Sequence, residues 1–290
     1  MNTDARVLVI GSKGMLASAL ISKLRDRGFA NITGVDVDTC DITQPASIAA
    51  TFEAAGPQLV INCAAFTNVD ACESKTDLAN AVNGTGVGNI AIACGKIGAT
   101  LVHYSTDYVF DGSVRRPLRP EDPTGPVSAY GKSKLLGEQL LQQHAPKNWL
   151  ILRTAWLYGP NGPNFVNTIV NAARAGKPLR VVADQFGCPT FTLDLADATL
   201  SLLEKNATGI WHVSNAGETN WFEFTKAILA EFSINHPVES ITSADWKKIK
   251  PDSATRPFYS VFDVSPYAKL IGKPLPDWTD ALKRYRRMIA

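Results

Sequence analysis

Short apolar runs alternate with amphipathic stretches through the first half of the chain. Val7, Leu8, Val9 and Ile10 are consecutively apolar, which suits a strand buried on both faces, so the first strand is placed at Arg6 to Ile10. From Gly14 to Arg27, Leu16, Leu20 and Leu24 recur one turn apart and predict a helix with one apolar face. Asn31 to Val35 reads as a strand, and Ile48 with Phe52 marks the next helix. An apolar run at Leu59 to Asn62 is followed by Val87, Ile90, Ala91 and Cys94, whose i, i+3, i+4, i+7 spacing implies a buried helical stripe. Thr100 to Tyr104 reads as strand, Tyr130 to Gln143 as helix, and Trp149 to Thr154 as strand. This alternation predicts an α/β fold, a Rossmann-type doubly wound parallel sheet covered by helices.

The pattern loosens after Thr154. Tyr158-Gly-Pro-Asn-Gly-Pro163 breaks regular structure and is read as a loop. Asn164 to Ala175 suits a helix, Leu179 to Val182 a strand, and Thr192 to Glu204 a helix. Ile210 to Val213 is expected to return to the main sheet, and a last helix spans Asp277 to Ile289. The expected division is a dinucleotide-binding domain of residues 1–158 and 190–216. A smaller interleaved α/β substrate domain takes residues 159–189 and 217–290.

At 290 residues, 45% hydrophobic and 19% charged, the chain can bury a substantial core. A formal net charge of +2 gives no global field for nucleic acid. Cys40, Cys63, Cys72, Cys94 and Cys188 form no CxxC pair and fit reduced thiols. No basic leader and no apolar stretch of membrane-spanning length is present, so a cytoplasmic protein without membrane or nucleic-acid partners is expected.

Gly11-Ser-Lys-Gly14-Met-Leu-Ala17 links the first strand to the first helix as a G-x-x-G-x-x-A turn. Glycines there let the backbone approach a pyrophosphate, and the helix amino end offers free N–H groups. Asp36 ends the second strand, where a carboxylate accepts the ribose hydroxyls of the adenosine half; this favours NADH, while Lys13 keeps NADPH open. Tyr130 and Lys134 stand one turn apart on one helix face. An ammonium beside a phenol is expected to lower its pKa toward neutrality and make it a usable proton donor. Thr106, at the carboxyl end of its strand, is placed to donate to a carbonyl oxygen. Together these point to hydride transfer at a carbonyl.

Competing chemistries find little support. The four histidines lack metal-ligand spacing, and His103 in its apolar strand is read as a packed core residue. There is no serine-hydrolase elbow and no Walker lysine. Asp184, Asp194 and Asp197 are read as cap and surface residues, and no metal is predicted.

On these motifs the chain resembles the extended short-chain dehydrogenase/reductases and, within them, the dTDP-4-dehydrorhamnose reductases. The segments carrying the likeness are Asn62-Cys-Ala-Ala-Phe-Thr-Asn-Val-Asp70, Tyr104-Ser-Thr-Asp-Tyr-Val-Phe-Asp-Gly112, Arg153-Thr-Ala-Trp-Leu-Tyr-Gly159, Asn164-Phe165, Asp184-Gln-Phe-Gly-Cys-Pro-Thr190 and Arg256-Pro257. The likeness covers nearly the whole chain. It implies Thr106, Tyr130 and Lys134 as the catalytic three. It places Gly11, Gly14, Met15 and Leu16 at the pyrophosphate, Asp36 at the adenosine ribose, Asp41 and Ile42 beside adenine, and Ala64, Ala65, Phe66 and Thr67 along the cofactor. Val69, Thr106, Asp107, Tyr130, Trp156 and Asn164 are implied at the substrate, with Arg256 suited by guanidinium geometry to its diphosphate.

The implied activity is reduction of dTDP-4-dehydro-L-rhamnose to dTDP-L-rhamnose with NADPH or NADH. The partner is thus a dTDP-sugar, and a homodimer is compatible with the family. Met15, Ala17 and Tyr259 depart from residues often found at those positions. Two rivals share the fold: a non-catalytic regulatory subunit like the methionine adenosyltransferase β subunit, and another nucleotide-sugar epimerase, dehydratase or reductase.

Overall fold

The computed structural model of the protein describes residues 2–144 and 146–289. Strand β1 (Val7–Ile10) turns into α1 (Met15–Asp26), and β2 (Ile32–Val35), α2 (Pro45–Ala55) and β3 (Leu59–Asn62) follow. Helices α3 (Val69–Ser74) and α4 (Thr76–Asn80) lead through a π-helical turn, Ala81–Thr85, into α5 (Gly86–Ile97). Next come β4 (Thr100–Thr106), α6 (Ala129–His144), β5 (Trp149–Thr154), β6 (Leu157–Tyr158), α7 (Phe165–Arg174) and β7 (Leu179–Val182). The chain continues through β8 (Phe186–Gly187), β9 (Thr190–Phe191), α8 (Thr192–Glu204), β10 (Gly209–His212), β11 (Thr219–Asn220), α9 (Trp221–Glu231) and β12 (Val238–Ile241). It closes with α10 (Ser243–Ile249), α11 (Ser265–Ile271) and α12 (Trp278–Met288).

Six strands form one sheet in the order β2-β1-β3-β4-β5-β10, and every pairing is parallel. The expected return near Ile210 is made by β10, which lies beside β5. The chain leaves β1 for β2 on one side and then crosses back to β3 on the other. That reversal opens a crevice above the carboxyl ends of β1 and β3, where doubly wound sheets bind ligands.

Both sheet faces are covered. Leu16, Leu20 and Leu24 of α1 pack with Leu195 and Leu200 of α8 on one face. Ile48 and Phe52 of α2, with Val87, Ile90, Ala91 and Cys94 of α5, fill the other. A separate core around Tyr158, Phe191 and Phe224 joins α7, α9 and α12. Trp156, packed against this core, lines the crevice.

The stretch from Val69 to Thr85 is helical where the apolar pattern predicts nothing. Its π-helical turn carries the fully buried Asn83, whose Oδ1 accepts Phe66 N–H at 2.8 Å. The same side chain donates to Phe66 O at 3.0 Å and to Ser133 Oγ of α6 at 3.0 Å. One widened helical turn thereby ties the loop after β3 to α6, and π-turns recur at functional sites for such reasons.

Candidate active site

Gly11 has φ +78°, and a Cβ built there would lie 2.7 Å from Ala64 N. The turns after β1 and β3 touch backbone to backbone, which glycine permits and a side chain forbids. Gly14 caps α1 without a side-chain bond, so the first-turn N–H groups remain open to an anion. Gly14, Met15 and Leu16 line a cavity of about 510 Å³ together with Ala64, Ala65 and Thr67. Thr106, Tyr130, Lys134 and Trp156 line the same cavity.

Two more lining residues were not singled out from sequence. Ser105 Oγ and Thr154 Oγ1 are buried in this cavity wall with no hydrogen-bond partner. A buried hydroxyl left unbonded costs about 1–3 kcal/mol, so both suit a polar group of a ligand. Open helix N–H groups at one end and these hydroxyls along the wall fit a dinucleotide.

The residues expected at the adenosine half lie beyond this lining. Asp36 Oδ2 accepts Lys13 N–H at 2.9 Å, and the Lys13 ammonium pairs with Asp38 at 2.8 Å. Asp41 is engaged in its own turn, accepting from Thr43 N at 2.9 Å. The Ile42 side chain belongs to the core under α5, and Phe66 is held through its backbone by Asn83. Asp36, Asp41, Ile42 and Phe66 thus stand outside the cavity wall.

Tyr130 and Lys134 share one side of α6, but the electrostatics correct the expectation from spacing. Burial, reinforced by the charge of Asp107, pushes the Tyr130 phenol up, and the Thr106 hydroxyl only partly opposes this. The Lys134 amine donates to Tyr104 O at 2.6 Å and lies 3.3 Å from His103 Nε2. Burial lowers Lys134 to about 8. His103, read from sequence as core packing, is buried yet bonded at both ring nitrogens.

Thr106 Oγ1 donates to Asp107 Oδ1 at 3.0 Å and accepts from Tyr108 N at 3.2 Å. Asp107 Oδ2 accepts from Ser260 Oγ at 2.6 Å, and burial raises Asp107 to about 6.

Trp156 stacks on Trp221 with ring centroids 3.5 Å apart. Gly187 makes room, since a Cβ there would lie 2.6 Å from Trp156 Cε2. Trp221 also lines a second cavity of about 780 Å³ with Val69, Phe165, Trp246 and Arg256. Arg256 bonds Asp70 at 2.9 Å and Ala254 O at 3.0 Å. Asn164 reaches neither lining: Oδ1 caps α7 at Asn167 N, and Nδ2 donates to Gly159 O at 2.8 Å. It shapes the 159–164 loop instead.

The other carboxylates considered from sequence are taken up by the protein. Asp194 binds Arg284 twice at 2.7 Å, Asp197 pairs with Lys23 at 2.7 Å, and Asp184 accepts from Ser243 N at 2.9 Å. Among the described residues no three His, Cys, Asp or Glu side chains are grouped to hold a metal.

A family model described as the RmlD substrate binding domain matches residues 5–289. The chain belongs to the dTDP-4-dehydrorhamnose reductase family. It is 37% identical to the dTDP-4-dehydrorhamnose reductase of Burkholderia thailandensis, covering 96% of both chains. A spore coat polysaccharide biosynthesis protein, SpsK, of Bacillus subtilis is 39% identical over 97% of this chain and 96% of its own. The dTDP-4-dehydrorhamnose reductase of Bacillus anthracis, solved in complex with NADP, superposes with a TM-score of 0.92 at 33% identity, covering 98% of this chain and 99% of that one. These relatives match this chain over nearly its whole length. No helix among the described residues is long and apolar enough to cross a membrane.

Proposed function

We propose that the protein reduces the 4-keto group of dTDP-4-dehydro-L-rhamnose to dTDP-L-rhamnose, using NADPH or NADH. The single observation that carries this reading is the shared cavity. Thr106, Tyr130 and Lys134 line it together with the open amino end of α1. When bound, the reduced dinucleotide supplies the hydride for C4. The glycine turn and α1 hold its pyrophosphate, and Asp36 its adenosine ribose. Residues 1–158 and 190–216 carry this half of the site; residues 159–189 and 217–290 carry the sugar nucleotide.

Tyr130 gives its phenolic proton to the oxygen forming at C4. Burial favours the phenol, so in the reducing direction the acid stands ready, and the task of the site is to stabilise the phenolate left behind. Lys134, one helical turn from Tyr130 and lining the same cavity, is the cation suited to do so. Trp156 forms the apolar wall of the sugar subsite, and Arg256 with the second cavity receives the nucleoside diphosphate. The protein works in the cytoplasm, as a monomer or homodimer, without nucleic acid or membrane.

Absorbance loss of NADH and NADPH, followed with a panel of dTDP- and GDP-4-keto sugars, tests the proposal. One reduced cofactor consumed per dTDP-4-dehydro-L-rhamnose is the expected result. Turnover without net cofactor consumption means an epimerase or dehydratase. No sugar turnover, with co-purification of a synthetase, means the regulatory-subunit reading.

A further inference from the structure

Behind Lys134 lies a chain of buried polar groups that the proposed reaction leaves without a task. Asn62 ends β3 and His103 sits in β4, exposed by only 1% and 0%. The Asn62 carbonyl oxygen accepts Ala64 N–H at 3.1 Å, so its amide turns its NH2 toward His103. That NH2 lies 3.1 Å from His103 Nδ1, making Nδ1 the acceptor. The opposite amide orientation would set NH2 against the Ala64 N–H. A neutral imidazole carries one proton, which must then sit on Nε2.

His103 Nε2 faces Lys134 Nζ at 3.3 Å. An ammonium at that point opposes N–H to N–H, whereas a neutral amine offers a lone pair. We propose that His103, its tautomer fixed by Asn62, is a positioning residue that donates its Nε2 proton to the Lys134 amine, so that this side chain exchanges between ammonium and amine instead of standing as a permanent cation.

The other groups around Lys134 are consistent with this. Glu138, one turn along α6, favours the ammonium, but Arg153 of β5 binds its carboxylate at 2.9 and 2.7 Å. Cys63 after β3 is held as a thiol by burial, and Tyr130 as a phenol. The His103 ring stays neutral because it is buried beside Lys134. Tyr104 O, the remaining partner, accepts a proton from amine and ammonium alike.

This inference rests on the placement of Lys134 at the reaction site. It is tested in the cofactor-free protein by NMR, so it stands or falls separately from sugar turnover. Nitrogen-15 spectra of histidine-labelled wild-type protein should show His103 protonated at Nε2 and bare at Nδ1; the other tautomer, or a charged ring near neutral pH, overturns the proposal. Carbon-13 spectra of lysine Cε, assigned with Lys134→Arg, should give a Lys134 midpoint near 8. His103→Gln can turn its amide oxygen to Nζ and should raise that midpoint by about one unit. The alkaline limb of the kcat profile should move with it. An unchanged midpoint in His103→Gln with a native circular dichroism spectrum overturns the proposal. If that variant does not fold, the wild-type tautomer decides alone. A protein with the expected tautomer and midpoint but no dTDP-sugar turnover leaves the histidine's role intact and removes the functional reading.

Discussion

The indole of Trp156 lies flat on that of Trp221, with ring centroids 3.5 Å apart and planes 9° from parallel. Trp156 lines the cavity holding Tyr130, and Trp221 lines the cavity holding Arg256. The stacked pair is therefore the partition between the proposed sugar and nucleotide subsites. Trp156 has φ +47°, an uncommon backbone for a bulky residue, and the stack helps hold it there. Trp221→Ala should raise the KM for the sugar nucleotide by roughly tenfold while NADH affinity changes less than about twofold. A double-mutant cycle of the two tryptophans should give a coupling of about 0.5–1.5 kcal/mol in stability. Equal losses of NADH and sugar affinity would contradict the partition.

Asp107 predicts a pH dependence of stability. Burial raises its carboxyl from the ordinary 3.8 to about 6, so the folded protein binds this proton more tightly than the unfolded chain. Its favourable contribution is present in full below about pH 4 and is lost as pH rises through about 6. Asp70 and Asp263 are shifted downward, so their contributions change at lower pH. Between pH 4 and 6, wild type should lose roughly 1–3 kcal/mol relative to Asp107→Asn, read from denaturant unfolding at each pH. Parallel curves for the two proteins would show that burial does not hold the proton on Asp107.

Cofactor preference should turn on Lys13. Its ammonium is engaged by Asp38, beside the Asp36 carboxylate that receives Lys13 N–H. Exposed pairs of this kind are easily exchanged for another anion. Asp38→Ala should free the ammonium for a 2′-phosphate and raise the NADPH-to-NADH ratio of kcat/KM several-fold, with sugar KM unchanged. A ratio that stays constant would place the discriminating contact elsewhere.

What the sequence revealed was local. The turn from β1 into α1 and the pairing of Tyr130 with Lys134 lie within single elements or their junctions, so spacing alone exposes them. Leu16, Leu20 and Leu24 are buried as their period requires. Contacts between distant segments leave no such trace. Trp156 meets Trp221, Asn62 meets His103, and Asp70 meets Arg256 across the fold. A single histidine in an apolar strand looks like packing until its neighbours are known. The phenol of Tyr130 follows the same rule: helical spacing places Lys134 nearby but does not reveal the burial and the Asp107 charge that push the phenol up. The two-residue strands β6, β8, β9 and β11 are too short to show any period.

The central claim is that the Tyr130 phenol protonates the sugar oxygen beside the bound cofactor. Stopped-flow single turnover of NADH or NADPH with dTDP-4-dehydro-L-rhamnose, comparing wild type with Tyr130→Phe, tests it most directly. The variant should lose about 10²- to 10⁴-fold in rate while cofactor affinity, followed by fluorescence, changes less than about threefold. A Tyr130→Phe rate within a few-fold of wild type would contradict the account.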